Sequence, residues 1–311
     1  MEYSPIVLFV YNRLKHTVET INSLRLNPEA EHSFLYIFSD GPKNNNENAK
    51  VNEVRNYVKS IEGFKKVIVI EREKNFGLAN NIIEGVTEVI SIYGTVIVLE
   101  DDLLFSPYFL KYMNESIQLY RNDKKVISIH AYIYPVNQPL PPTFFLIDPG
   151  SLGWATWKDR WSEYEPDGRK LLEQLKNKKL EYKFNYDDTY PFLRMLQDQI
   201  NGKNNSWVIR WYAHAMLNDQ VTLYPSRSLV FHNGSDGSGT HAGDSSMLDV
   251  ELADEPILVE RINIEVDQKA REALKEYFKK INPGIVKRVF RKIRKLWARL
   301  RNTGKKSSSM T

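Results

Sequence analysis

Cysteine is absent from this 311-residue chain. That excludes disulfides, zinc–thiolate centres and cysteine nucleophiles, and it is compatible with a reducing compartment. Long apolar runs are missing too: no stretch reaches the ~18 apolar residues that a spanning helix needs. The opening MEYSPIVLFVYNR has no basic leader, and its apolar run from Ile6 to Tyr11 is strand length, so no signal peptide is expected. The pattern G-x-x-x-x-G-K-[ST] occurs nowhere, and GKKS at 304–307 lacks the leading glycine. A P-loop ATPase is thereby excluded, although one strand ends on acids as a Walker B segment does. Acids are missing from residues 283–311, which carry ten Lys and Arg; with +4 overall, −6 is left for the rest. An acidic body with a basic tail points to two separate tasks.

What is present is ample core material. The chain is 42% hydrophobic with 17 Tyr, 14 Phe and 6 Trp, enough for one large domain or two smaller ones. The first hundred residues alternate between strand and helix signals. PIVLFVYN (5–12), SFLYIFSDGPK (33–43), KKVIVIERE (65–73) and TVIVLE (95–100) read as strands. LKHTVETINSLRL (14–26), residues 46–64 and a glycine-punctuated stretch over 75–93 read as helices. Ser106-Pro107 reads as an N-cap and first-turn proline before YFLKYMNESIQLYR. This order predicts a mostly parallel, doubly wound α/β sheet. VISIHAYIYP, from 126, suits another strand, after which residues 150–250 mix Trp-rich segments, short helices and Gly-rich loops. ELADEPILVER (251–261) reads as a connection.

Chemistry concentrates where predicted strands end. Ligands of doubly wound sheets sit outside the carboxyl ends of strands. There TVIVLE runs into Glu100, Asp101 and Asp102, three neighbouring carboxylates that call for a cation. Hard oxygen ligands suit Mg²⁺ or Mn²⁺, which keep waters and share substrate phosphates. FVYNR (9–13) and FSDGP (38–42) end two more strands, and KNFGLANN (74–81) opens a helix whose N-terminus attracts phosphate or ribose oxygens. Tyr11, Asn12, Arg13, Asp40, Asn75, Gly77, Leu78 and Asn80 are therefore the candidates for a nucleotide pocket. Asp40 would accept from a base N–H and Arg13 would meet a phosphate. Each segment taken alone also reads as an ordinary turn or cap, so their joint order carries the inference.

That order resembles the nucleotide-sugar-binding half of GT-A-fold glycosyltransferases. NFGLANN is similar to a stretch of family 2 enzymes, and LEDDLLFSPYFLKYM resembles N-acetylglucosaminyltransferase I, where E-D-D stands for the usual D-x-D. The likeness covers residues 5–115 and extends to SLGW (151–154). It implies that Asp102 ligates Mn²⁺ or Mg²⁺ bridging the donor diphosphate, that Asp101 reaches the ribose or metal waters, and that Glu100 holds the donor sugar. It further implies an inverting enzyme that moves sugar from a nucleotide-sugar, UDP by resemblance alone, to a glycan or lipid-linked acceptor in surface polysaccharide synthesis. A non-catalytic sugar- or nucleotide-binding protein and a nucleotidyltransferase are the alternatives.

The second half is read from its aromatics and one loop. Trp154, Trp157 and Trp161 are spaced i, i+3, i+7, as on one helical face. Trp157 and Trp161 suit a core, whereas Gly153 and Trp154 are placed at the mouth of the site to stack on an acceptor sugar. The helical stretch NSWVIRWYAHAML (205–217) brings Arg210, for the diphosphate or a core salt bridge. It carries Trp207-Val208-Ile209 where the resembled enzyme has its acidic base. Asp187 and Asp188 offer an acid for that task and read equally as a helix N-cap pair. FHNGSDGSGTH (231–241) holds His232, Asp236 and His241; Asp236 is the candidate general base and His241 a candidate metal ligand. In residues 283–301 the apolar positions form one stripe flanked by Lys and Arg, as in an interfacial helix on an anionic membrane. A helix docked on the body is the other reading, and nucleic acid is not expected. The predicted organisation is a catalytic region over 1–250, with a nucleotide-sugar half to 115 and an acceptor half over 116–250. A connecting segment and basic helix occupy 251–311, and the enzyme is expected at the cytoplasmic face of a membrane.

Overall fold

The computed structural model describes residues 3–234 and 249–282. Its elements run β1 (Ile6–Val10), α1 (Leu14–Leu24), β2 (Phe34–Ser39), α2 (Asn48–Val58), β3 (Lys66–Glu71), α3 (Leu78–Tyr93), β4 (Thr95–Glu100), β5 (Leu103–Phe105) and α4 (Phe109–Leu119). They continue with β6 (Val126–His130), β7 (Thr143–Leu146), β8 (Trp154–Trp157), α5 (Lys158–Trp161), α6 (Gly168–Asn177), α7 (Glu181–Phe184), α8 (Phe192–Ile200), α9 (Val208–Leu217), β9 (Val221–Pro225), β10 (Val230–His232) and α10 (Gln268–Ile281).

Eight strands form one sheet in the order β3-β2-β1-β4-β8-β6-β9-β7. Neighbours β3, β2, β1 and β4 are parallel, as are β6 and β9, while β8 runs against β4 and β6 and β7 against β9. The sheet is mainly parallel, as the sequence predicts. The strands are apolar throughout because helices cover both faces. Val7, Phe9, Val96 and Val98 point into one core with α3 and α9; Ile6, Leu8, Ile97 and Leu99 point into the other with α1, α2 and α4. Helix α3 lies close on the first face. A Cβ at its Gly85 would stand 2.8 Å from Phe9 Cε1 and 3.2 Å from Phe38 Cδ2, so glycine sets the depth of the helix.

Three local expectations are corrected. Helix α4 starts two residues after Pro107 with Tyr108 as its cap residue; Ser106 Oγ accepts from Tyr108 N at 3.3 Å in the turn before it and donates to Ala253 O at 2.6 Å. The Trp segment is a strand followed by one helical turn. Side chains alternate along a strand, so Trp154 joins the first core and Trp157 the second; only Trp154 and Trp161 share a face. Asp187 and Asp188 cap nothing. With Tyr186 they take left-handed backbone (φ 49–61°), a conformation that Asp tolerates better than most residues. Asp187 is instead held by Arg271 Nη2 at 2.6 Å and Lys275 Nζ at 2.8 Å, which ties α10 to the body. The connecting stretch 251–261 is irregular, as expected, and lies against the body: Ala253 N donates to Ser228 O and Tyr120 Oη to Glu260 O. The basic stretch 283–301 lies outside the described residues.

Candidate active site

The carboxyl ends of β1, β2 and β4 lie side by side because these strands are parallel neighbours. Each end presents a polar group where the ladder stops.

At the end of β4 the three acids have separate environments. Glu100 closes the strand opposite Phe9. Burial first, then the charges of Asp102 and Asp101, push its carboxyl up to about 8 against the pull of Arg13. Asp101 is 4% exposed, and burial raises it to about 6 although Arg13 draws it down. Asp102 goes the other way. Burial would raise it, but the His232 hydrogen bond and the Arg13 charge outweigh that and hold it at about 2. Asp102 is therefore the most firmly ionised of the three acids.

Two chain-distant residues hold these acids. Arg13 Nη2 donates to Asp101 Oδ1 and, at 2.9 Å, to Asp102 Oδ2. His232 Nε2 stands 3.4 Å from the same Asp102 oxygen. Local pairing explains the histidine's place: β5 follows directly on Asp102, and β10 pairs with it so that His232 lies opposite Leu103. Asn233 N donates to Asp102 O at 2.8 Å and fixes the crossing.

These residues fit a divalent cation. Asp101 Oδ2 and His232 Nδ1 are buried without a hydrogen-bond partner. Gly234 closes one side, since a Cβ there would stand 2.5 Å from Asp102 Oδ2 and 3.0 Å from His232 Nε2. Among the described residues no group of three or more metal-ligating side chains is assembled. A hard cation that keeps waters and shares a substrate's phosphates asks for only one or two carboxylates, and Asp102 with His232 beside it meets that.

At the end of β2, Asp40 faces inward. Its Oδ1 accepts from Gly41 N and Phe76 N, at 2.9 and 2.8 Å, and its Oδ2 from Gly77 N and Asn75 Nδ2, at 3.0 and 3.2 Å. A carboxylate offers about four acceptor positions, so all are taken. The expectation that Asp40 accepts from a nucleobase is corrected: it shapes the loop before α3. Asn75 also donates to Gly41 O, and Asn80 Nδ2 to Phe76 O. Gly77 has a positive φ of 73°, which glycine alone adopts readily, and Leu78 projects into solvent.

At the end of β1, Tyr11 Oη donates to Glu47, Asn12 Nδ2 donates to Glu47 Oε2 at 3.0 Å, and Lys43 N donates back to Tyr11 Oη. Burial, then Glu47, pushes the phenol up to about 12.

The structure brings Arg13, Asp101 and Asp102 together, and Asp40, Asn75 and Gly77 together. It removes Trp154 from the acceptor site. That ring is 1% exposed and stacks on Trp207 with centroids 4.9 Å apart. Gly153 is buried with it; its φ is 67°, and a Cβ would stand 2.8 Å from Val230 Cγ2, so it serves packing and not acceptor contact. Among the described residues Arg210 makes no ion pair; it donates to Pro166 O and lies over Tyr164. Asp236 and His241 lie outside the described residues. Sequence reasoning passed over Glu47, which sits in a polar run with no distinguishing pattern. His232 is marked in the sequence only by strand alternation next to an apolar VF pair.

The family described as "Glycosyl transferase family 2" matches residues 6–184, more than half of the chain. No curated protein matches the sequence directly. Among solved structures the chain is similar to the mannosyltransferase PcManGT from Pyrobaculum calidifontis in complex with GDP-Man and Mn²⁺. The identity is 13% and the TM-score 0.36, with 56% of this chain and 47% of that one covered. It is also similar to S. aureus TarS 1–349, at 15% identity and TM-score 0.41, covering 75% of this chain and 60% of that one. The chain thus spans about half the length of these proteins.

Proposed function

Because the chain belongs to glycosyl transferase family 2, we propose that it transfers a sugar from a nucleotide-sugar, with a divalent cation at Asp102, to a glycan or lipid-linked acceptor. The carrying observation is Asp102: a carboxylate held ionised at a strand end, approached by His232 and flanked by two further polar strand ends.

The residues divide the work. A bound Mn²⁺ or Mg²⁺ would stabilise the negative charge left on the departing nucleoside diphosphate. Asp102 would hold that ion, with His232 at its side and His241 the further proposed ligand. Asp40 keeps the 75–77 loop in position before α3, whose first-turn backbone N–H groups suit a ribose or phosphate oxygen. Tyr11 and Asn12, fixed by Glu47, border the same edge. Glu100, pushed up by burial, would be protonated near neutrality and could donate to a sugar oxygen. Asp236, in the segment after β10, is the proposed base for the acceptor hydroxyl. A UDP-sugar donor, inversion and a role in surface polysaccharide synthesis complete the proposal. So do a catalytic region over 1–250 and membrane attachment through 283–301 at the cytoplasmic face. Among the described residues no helix is long and apolar enough to cross a membrane.

Calorimetric titration of nucleoside diphosphates and nucleotide-sugars, with and without Mn²⁺, tests the core of it. Metal-dependent binding of one nucleotide, lost in Asp102→Ala, is expected. Binding of no nucleotide under either condition would overturn it.

A further inference from the structure

Arg13 occupies the position that a cation at Asp102 would need. The three acids at the end of β4 require a positive charge, and in this structure a guanidinium supplies it. One nitrogen, Nη2, serves Asp101 Oδ1 and Asp102 Oδ2 together. The oxygen it shares with His232 is Asp102 Oδ2. A hard divalent ion sits about 2.1 Å from a carboxylate oxygen and repels a like charge at that range. With His232 and Arg13 already on Asp102 Oδ2, an ion entering this carboxylate meets the Arg13 guanidinium as a like charge in direct competition for the same negative charge.

Arg13 is also built to leave. It is the residue before α1, with non-helical backbone (φ −117°, ψ 75°), and its carbonyl is pinned by Thr17 N and Thr17 Oγ1, each at 3.0 Å. The side chain can swing without disturbing the helix. It lies at the strand-end edge and is partly exposed. A diphosphate arriving with its metal would give a planar fork a bidentate partner.

We infer that Arg13 is an exchangeable counter-cation: it fills the Asp101–Asp102 site without metal, is displaced from Asp102 when a divalent ion enters, and passes to the donor's diphosphate. This rests on the metal reading of Asp102 given above. Two consequences separate it from a fixed structural arginine. Metal alone should bind weakly because it must break a charge-assisted pair. Nucleoside diphosphate should strengthen metal binding partly through Arg13, and reciprocally.

The test is Mn²⁺ titration of the full chain, read by the electron paramagnetic resonance signal of free Mn²⁺, with and without UDP. Wild type, Arg13→Ala, Arg13→Gln and Arg13→Lys are compared, with Asp102→Ala as control and circular dichroism confirming the fold. Arg13→Ala and Arg13→Gln should bind Mn²⁺ alone about tenfold tighter than wild type, the scale of one charge-assisted hydrogen bond. Arg13→Lys should stay near wild type. UDP should strengthen Mn²⁺ binding less in Arg13→Ala than in wild type. If folded Arg13→Ala or, should that variant not fold, Arg13→Gln binds Mn²⁺ no tighter than wild type, the exchange is overturned while the metal site stands. Should no chain bind Mn²⁺, with or without UDP, the metal reading and the exchange both fall.

Discussion

Asp40 supplies the sharpest division between a residue that reads a ligand and one that builds the place for it. Replacing it with asparagine keeps the shape and converts one oxygen to an NH₂ group. Of the four N–H groups now accepted, two then face a donor instead of an acceptor. Hydrogen bonds to charged groups contribute about 1.5–3 kcal/mol each. Residues 75–77 are partly open to water, which can satisfy some of the loss, so the lower end applies: about 3 kcal/mol for the two. For a domain of this size, at roughly 2 °C per kcal/mol, the thermal midpoint should fall by about 6 °C. The assay is urea unfolding of wild type and Asp40→Asn, paired with calorimetric binding of UDP, CDP, ADP and GDP. The loop reading expects the stability loss together with weaker binding of whichever nucleotide the wild type takes, and no switch of base preference. Unchanged stability with a changed base preference would refute it and restore Asp40 as a base acceptor.

Trp154→Ala should cost about 3–5 kcal/mol of unfolding free energy, as large aromatic truncations in cores do, while Trp154→Phe should leave acceptor KM unaltered; a KM effect without a stability effect would place the ring at the acceptor after all. Asp187 is held well below the usual carboxylate range by its hydrogen bond to Arg271, with Lys275 assisting. Its folded pKa is depressed, so its contribution is present above the unfolded value of about 3.9 and is lost as pH falls below it. Asp187→Asn, which keeps a residue tolerant of the left-handed backbone, should therefore lose about 1 kcal/mol at pH 7, discounted for exposure. That gap should begin to narrow below about pH 4 and keep narrowing as pH falls toward the depressed folded value, read in urea titrations; a gap independent of pH would contradict the ion-pair account.

How much was readable in the sequence depends on how each contact is made. Strands β1 to β4 and the helices between them were legible because a sheet buried on both faces needs unbroken apolar runs, and each run ended at a polar cluster. The acids at 100–102 stood out for the same reason. The Trp segment was not legible: i, i+3, i+7 spacing fits a helix, and only the pairing of β8 between β4 and β6 overrides it. Asp40 was found, but its task was misread, because its four donors come from a neighbouring strand end and a loop some thirty-five residues on. Glu47 carried no local mark at all.

The insertion of antiparallel β8 also explains why the acid cluster is neutralised from so far along the chain. On the β1 side, parallel pairing brings like ends together, so the residue three past β1 reaches the acids just past β4; that residue is Arg13. On the β8 side, antiparallel pairing brings the start of a strand to the same edge, and the side chain there is Trp154, facing the core. Among the described residues, no cation reaches Asp102 from that direction. The remaining approach is over the top, and it is made by the small β5–β10 pair, which delivers His232. Among the described residues, topology thus leaves Asp102 with one strong cationic partner, Arg13, and one imidazole. On the proposed reading, a divalent ion added at Asp102 must therefore meet Arg13 first, and the Mn²⁺ affinity of Arg13→Ala measures how strongly that guanidinium competes with it.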